Sequence, residues 1–187
     1  TGGWDNCVKV WDCEQEFQYR RTLQGHADRI EGIAVDPSGG TVVSASRDCT
    51  LRVWDVRGGG GRQVSSTYTY DSLACLSAAW EEGMVAAGAR NGSLALWSVE
   101  GAKKTGVFRG HTTEVTCACA LDLGGGARVW AAGAVDASVL VWDSRAPGAE
   151  AAFALKGAAR RAFSLAADGH TVWAGDFSTT VKVFDLR

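Results

Sequence analysis

The feature that most constrains this chain is an aromatic residue that returns on a nearly fixed beat, followed in four of five cases by aspartate. The markers are Trp11-Asp12, Trp54-Asp55, Trp97-Ser98, Trp142-Asp143 and Phe184-Asp185, spaced 43, 43, 45 and 42 residues apart. Each is preceded by a short β-rich run: Val8-Lys9-Val10, Leu51-Arg52-Val53, Leu94-Ala95-Leu96, Val139-Leu140-Val141 and Val181-Lys182-Val183. Three of these place a polar residue between two aliphatic ones, the alternation of a half-buried strand. Six residues before each aromatic stands Asp5, Asp48, Asn91, Asp136 or Ser178, side chains that bond the local backbone in tight turns. A unit of this length repeats because it cannot bury its apolar face alone and must stack on its neighbours.

A second landmark, Gly-His, occurs as Gly25-His26 and Gly110-His111, which lie 28 and 31 residues before their aromatics. With the period and the W-D endings, these residues resemble the WD-repeat (WD40) β-propeller family over essentially the whole chain. The resemblance implies an all-β fold of four-stranded antiparallel blades, about four blades plus part of a fifth. It also implies a buried brace of His, Ser/Thr, Asp and Trp. One blade carries the full set, His26, Ser44, Asp48 and Trp54. The blade ending at Trp142 keeps His111 and Asp136 but has Ala132 in place of the hydroxyl. The blade ending at Trp97 has Asn91 and Ala87 and no Gly-His. The last has Ser178 and Phe184, with Gly157-Ala158 where Gly-His would stand.

The expected organisation is one propeller segment over 1–187, with blade ends near 12, 55, 98, 143 and 185. Strands are predicted at 8–11 and 18–23; then at 30–35, 41–46, 50–54 and 64–70. The next blade spans 73–80, 84–88, 93–97 and 105–109, and the fourth 115–121, 128–132, 139–142 and 151–155. The last has strands at 162–166, 171–174 and 181–184. Asp36-Pro37-Ser38-Gly39-Gly40 and Ala167-Asp168-Gly169-His170 read as hairpin turns. Gly58–Gly61 and Gly124–Gly126 read as loops without the Gly-Lys-Ser/Thr of a phosphate cradle. The family usually closes with seven blades. The segment is therefore expected to be the C-terminal part of a larger propeller, its remainder supplied by preceding residues or another chain.

Composition narrows the chemistry. A net charge of −2 argues against nucleic acid or an anionic membrane as partner, and the pairs Arg20-Arg21, Lys103-Lys104 and Arg160-Arg161 read as solvated surface. No apolar run approaches the ~18 residues of a membrane helix, so no membrane insertion is expected. The six cysteines form no C-x-x-C pair, and Cys117-x-Cys119 lacks further ligands, so no metal and no cofactor are expected. Cysteines inside apolar runs suit a reducing compartment, cytoplasmic or nuclear. His26 and His111 are taken up by the implied brace, and His170 lies at a turn tip. No nucleophile–base set is legible, and no enzyme activity is expected.

Binding is the expected role: a non-catalytic scaffold or adaptor for other proteins. In the family, the residue before the turn Asp points to the face that holds partners. Those residues here are Trp4, Arg47, Arg90, Val135 and Phe177, and the inner-strand starts add Arg29, Glu31, Glu114, Arg160 and Arg161. Arginine and aromatic residues are the types that dominate interface energetics. The endings Trp54-Asp55-Val56-Arg57 and Trp142-Asp143-Ser144-Arg145 also resemble the W-D-x-R of cullin-RING ligase substrate receptors. There, Arg57 and Arg145 would contact an acidic adaptor. A third alternative is a stable subunit of a large ciliary, ribosome-associated or trafficking complex.

Overall fold

The computed structural model describes residues 1–14, 16–57, 61–123, 129–145, 150–155, 161–178 and 180–187. Most of the two glycine loops, the start of the 128–132 strand, Gly157-Ala158 and Arg160 lie outside the described residues. Backbone contacts divide the chain into two compact units, Thr1–Leu73 and Ala74–Arg187.

In the first unit, β1 (Val8–Asp12) and β2 (Gln18–Leu23) form a two-stranded sheet. A four-stranded sheet follows in the order β3 (Ile30–Val35), β4 (Thr41–Ser46), β5 (Thr50–Asp55), β6 (Arg62–Tyr68), all antiparallel. The β3–β4 hairpin turns at Asp36, whose carboxylate accepts from the Thr41 N–H at 3.0 Å and from the Ser38 hydroxyl. Gly39 takes the positive φ of 72° that closes it. Val8, Leu23, Ile30, Val42 and Trp54 form the buried core between these sheets.

The second unit is built on β7 (Leu73–Ala79), β8 (Met84–Ala89), β9 (Leu94–Ser98) and β10 (Lys103–Phe108). Next come β11 (Val115–Leu121), β12 (Val129–Ala134), β13 (Val139–Asp143) and β14 (Phe153–Leu155). A three-stranded sheet of β15 (Ala162–Asp168), β16 (Thr171–Asp176) and β17 (Val181–Asp185) ends the chain. The order within each sheet follows the sequence. The β7 strand stops one residue short of expectation because Trp80–Glu82 form a single 3-10 turn closed by Gly83 at φ 62°. β6 and β10 begin two residues earlier than the sequence suggests, at Arg62 and Lys103.

Burial explains the composition of each strand. β12 is buried at all six positions and β13 at four of five, because sheets pack on both faces, and their sequences are correspondingly continuous apolar runs. The outer strands β2 and β10 instead grade from exposed to buried along their length. Side chains such as Leu94, Leu121 and Val139 are fully buried, each stabilising the fold by about 2 kcal/mol.

Small residues set how closely neighbouring sheets approach. Gly88 on β8 and Gly133 on β12 occupy the same repeat position. A Cβ on Gly88 would lie 2.5 Å from Cys75 Sγ and 2.6 Å from Val115 Cγ1, and one on Gly133 would lie 2.6 Å from Ala162 Cβ. Gly175, the equivalent on β16, has nothing within 4 Å of that point.

Candidate functional site

The four residues His26, Ser44, Asp48 and Trp54 meet in one chain of hydrogen bonds. His26 Nδ1 lies 2.8 Å from Asp48 Oδ2, His26 Nε2 lies 2.7 Å from Ser44 Oγ, and Trp54 Nε1–H donates to Ser44 Oγ at 2.9 Å. The carboxylate can only accept, so Nδ1 carries the imidazole proton. Nε2 then accepts from Ser44, whose oxygen in turn accepts from the indole. Asp48 also takes the Ala27 N–H at 2.9 Å and the Thr50 hydroxyl at 2.6 Å. Burial pushes the His26 pKa below its ordinary value against the pull of Asp48. Burial opposes ionisation of Asp48, but bonds from Thr50, Ala27 and His26 together hold its carboxyl below the usual range.

Where the hydroxyl is missing, the bonds are rerouted. His111 Nε2 donates to the Ala132 carbonyl at 3.0 Å, and Nδ1 lies 2.7 Å from Ser138 Oγ and 3.6 Å from Asp136. Trp142 Nε1–H turns to the Arg109 carbonyl at 3.3 Å. Burial again lowers the imidazole pKa. Beside Ala87, the buried Trp97 Nε1 has no partner among the described residues.

The turn residues do local work. Asp48, Asn91 and Asp136 each accept the N–H two residues on at 2.9 Å. In the last blade Ser178 holds this position, its hydroxyl 2.8 Å from Thr180 Oγ1, and Asp176 accepts the Ser178 N–H at 2.7 Å as Ser46 accepts that of Asp48 at 3.1 Å. The marker Asp residues behave alike: Asp12, Asp55, Asp143 and Asp185 each accept from the N–H two residues later, ending the strand.

Of the two W-D-x-R arginines, Arg145 pairs bidentately with its own Asp143, Nε at 2.9 Å and Nη2 at 2.6 Å. Arg57 packs over Gly40, near Asp36. Arg187 repeats the Arg145 geometry on Asp185, whose pKa the guanidinium draws down to about 2. The sequence Asp185-Leu186-Arg187 carried that signal.

The face residues gather by strand register. In the first unit, the β3–β4 pairing sets Arg47 opposite Arg29, joined by Arg47 N–H to Arg29 O at 3.1 Å. The ladder slips between Ile30 and Gly32, so Glu31 is a bulged residue, and bulges re-aim side chains. Its Oε1 accepts from both Arg29 Nε and Arg47 Nε at 2.6 Å. The Arg29 guanidinium sits 4.6 Å above the ring of Trp4, which is 79% exposed.

The second unit repeats this plan with other chemistry. The β15–β16 ladder slips between Ala162 and Ser164, making Phe163 the bulged residue. Its ring packs edge-on against Phe177, centroids 3.9 Å apart, and Arg161 lies 5.5 Å above it. Phe177 is 59% exposed. Arg90 reaches Glu114 at 3.7 Å, and the exposed Val135 bonds the Glu114 carbonyl through its N–H. The bulged residue of β11, Thr116, bonds the Gly133 carbonyl at 3.1 Å and also that of Ala162. Phe163 was missed in the sequence because nothing in its neighbourhood announces a bulge.

All six cysteines are unpaired. Burial pushes the thiols of Cys117 and Cys119 up to about 11 and about 12, and raises that of Cys75 further. They are packing residues, not nucleophiles. Among the described residues no group of three or more His, Cys, Asp or Glu is arranged to hold a metal, and no helix is long and apolar enough to cross a membrane.

Repeated four-stranded antiparallel sheets, a histidine–carboxylate brace and W-D strand endings define a β-propeller segment of the WD-repeat class. The sequence matches the WD domain, G-beta repeat, over residues 17–55 and 102–143. It is 28% identical to protein tipD of Dictyostelium discoideum over 78% of this chain and 23% of that protein. It is 27% identical to nuclear distribution protein nudF of Aspergillus niger over 59% of this chain and 25% of that protein. With protein transport protein sec13 of Emericella nidulans the identity is 35% over 39% of this chain and 26% of that protein. The matches thus span about a quarter of each relative's length. The solved structure of U3-55K superposes with a TM-score of 0.84 over 98% of this chain and 57% of that one, at 21% identity, and shows the same fold. The chain thus carries WD40 repeats over these two stretches and has the fold of a WD-repeat propeller.

Proposed function

We propose that this chain is a non-catalytic protein-interaction scaffold that grips its partners through the sheet ends carrying Trp4, Arg29, Arg47, Arg90, Glu114, Arg161 and Phe177. WD repeats indicate a protein-interaction scaffold in general terms. The observation that carries the finer reading is the recurrence of one device. In each unit an arginine at the start of an inner strand lies over an aromatic ring, Arg29 over Trp4 and Arg161 over Phe163, and the bulged residue of that strand contacts the arginine, Glu31 by a hydrogen bond and Phe163 by its ring. Aromatic and arginine side chains held rigid before binding lose little conformational entropy on contact, which is what an interface anchor requires. Arg29 and Arg47 share one carboxylate oxygen, so each is fixed in place while its guanidinium still faces outward in part. The six unpaired cysteines favour partners met in a reducing compartment, cytoplasmic or nuclear.

The test is affinity capture from the native cell with the wild-type chain, an Arg29→Glu/Arg47→Glu variant and an Arg161→Glu/Phe177→Ala variant. Loss of the same specific proteins from either variant, with thermal stability kept, supports the reading. Unchanged recovery with both variants rules these faces out.

A further inference from the structure

We propose that the β15–β16 end of the second unit takes an acidic segment of a partner protein, with Arg161 pairing a partner carboxylate and Phe163 and Phe177 seating the apolar residue beside it. This rests on the reading that these sheet ends hold partners, and adds the chemistry that one of them selects.

Arg161 differs from the other arginines of these ends in lacking a carboxylate. Arg29 and Arg47 share Glu31 at 2.6 Å, and Arg90 reaches Glu114 at 3.7 Å. Among the described residues no ion pair or hydrogen bond engages the half-buried Arg161 side chain, and its Nε is buried without an acceptor. The residues outside that set contain no aspartate or glutamate, so the missing acid is not among them. Two carboxylates lie close in the ladder, and both are engaged. Asp176, opposite Ala162, accepts the Ser178 N–H and hydroxyl, and Glu114 faces Arg90.

The repeat explains the lack. In the first unit the bulged residue of the inner strand supplies the acid, Glu31, whereas β15 has Phe163 there. The Phe163 ring holds the guanidinium, whose Cζ lies 5.5 Å from the ring centre. A phenyl ring offers no oxygen or nitrogen to accept the five N–H groups, so it leaves them unsatisfied. Partly burying a charge without a counter-ion is costly, and an arriving anion removes that cost.

One guanidinium matches one carboxylate in a two-bond fork. Phosphorylated segments are instead met by arginine clusters, and Arg90 is already joined to Glu114. The exposed rings of Phe163 and Phe177, edge-on at 3.9 Å, make an apolar shelf next to the charge. The acid therefore comes with a large apolar neighbour that covers these rings.

Panning a random dodecamer peptide library against the whole chain supplies the probe. Wild type should enrich peptides with aspartate or glutamate beside an aromatic or aliphatic residue. The pool bound by Arg161→Glu should exchange that acid for lysine or arginine. For one enriched peptide, Arg161→Gln should weaken binding roughly tenfold or more by calorimetry. Replacing the peptide's acid by its amide should weaken wild type as much, and Arg161→Gln little. Melting of Arg161→Gln should be unchanged or raised, where loss of a purely structural arginine would lower it. Enrichment without acid preference, or an amide change felt equally by wild type and Arg161→Gln, overturns the proposal. Peptides lost by Phe177→Ala but kept by Arg161→Gln overturn it while leaving this end a binding surface. Peptides indifferent to both variants remove this end altogether. A selection that enriches nothing also overturns it, and the cellular capture described above then decides the broader reading alone.

Discussion

His26 and His111 sit at corresponding positions of two blades yet hold their ring proton on opposite nitrogens. His26 Nδ1 faces the carboxylate of Asp48, whereas His111 Nε2 faces the carbonyl of Ala132, and neither acceptor can donate. The exchange follows from one residue, since Ser44 offers His26 Nε2 a hydroxyl and Ala132 offers His111 only backbone. Nitrogen-15 correlation spectra at neutral pH should therefore show one Nδ1–H and one Nε2–H tautomer. Two identical tautomers would contradict this assignment.

Stability should fall on mild acidification. Both imidazole pKa values are lowered by burial, so the unfolded chain binds protons first as the pH drops through about 6.5. Stability is then level above that pH and declines below it until the folded imidazoles protonate. Asp48 and Asp136, both held below the usual carboxylate range, extend the loss at lower pH as they protonate. Urea midpoints at pH 7.5, 6.5 and 5.5 measure the decline, and His26→Gln should make it shallower.

Ser44→Ala removes the centre of the brace. It leaves the buried His26 Nε2 and Trp54 Nε1 unpartnered, at a cost of about 2 to 4 kcal/mol. Chemical denaturation reads this directly, and a loss under 1 kcal/mol would show the brace to be incidental.

The three equivalent glycines should respond differently to a methyl group. Gly88→Ala and Gly133→Ala force a Cβ into the neighbouring inner strand and should each destabilise by about 1 to 3 kcal/mol. Gly175→Ala, with open space around it, should be neutral or slightly stabilising by melting temperature.

Glu31→Ala and Phe163→Ser probe the bulged residues. Neither side chain supports the core, so stability should move by less than about 0.5 kcal/mol. Partner affinity should drop by about thirtyfold or more for whichever position lies at an interface centre, as measured by titration with captured partner.

Much of the fold was legible because the markers fix the third strand of every blade and the 2.0-residue alternation places the rest around it. The brace was legible where the sequence kept all four polar residues. It was not legible at His111, because a backbone carbonyl replaces the missing hydroxyl and backbone carries no sequence signature. The gathering of Arg29 with Arg47, and of Arg161 with Phe177, follows from ladder pairing. The slips that aim Glu31 and Phe163 at them do not, since a bulge adds a residue without changing composition.

Those slips have a consequence for how the surface can change. Glu31 and Phe163 have no backbone partner in the ladder, so replacing either alters no strand pairing and leaves the register of the sheet untouched. The blade thus separates what it grips from how it assembles. One position per inner strand can be rewritten, acid to aromatic, at almost no cost to the scaffold, and a library randomised at these sites alone should return folded chains with new tastes.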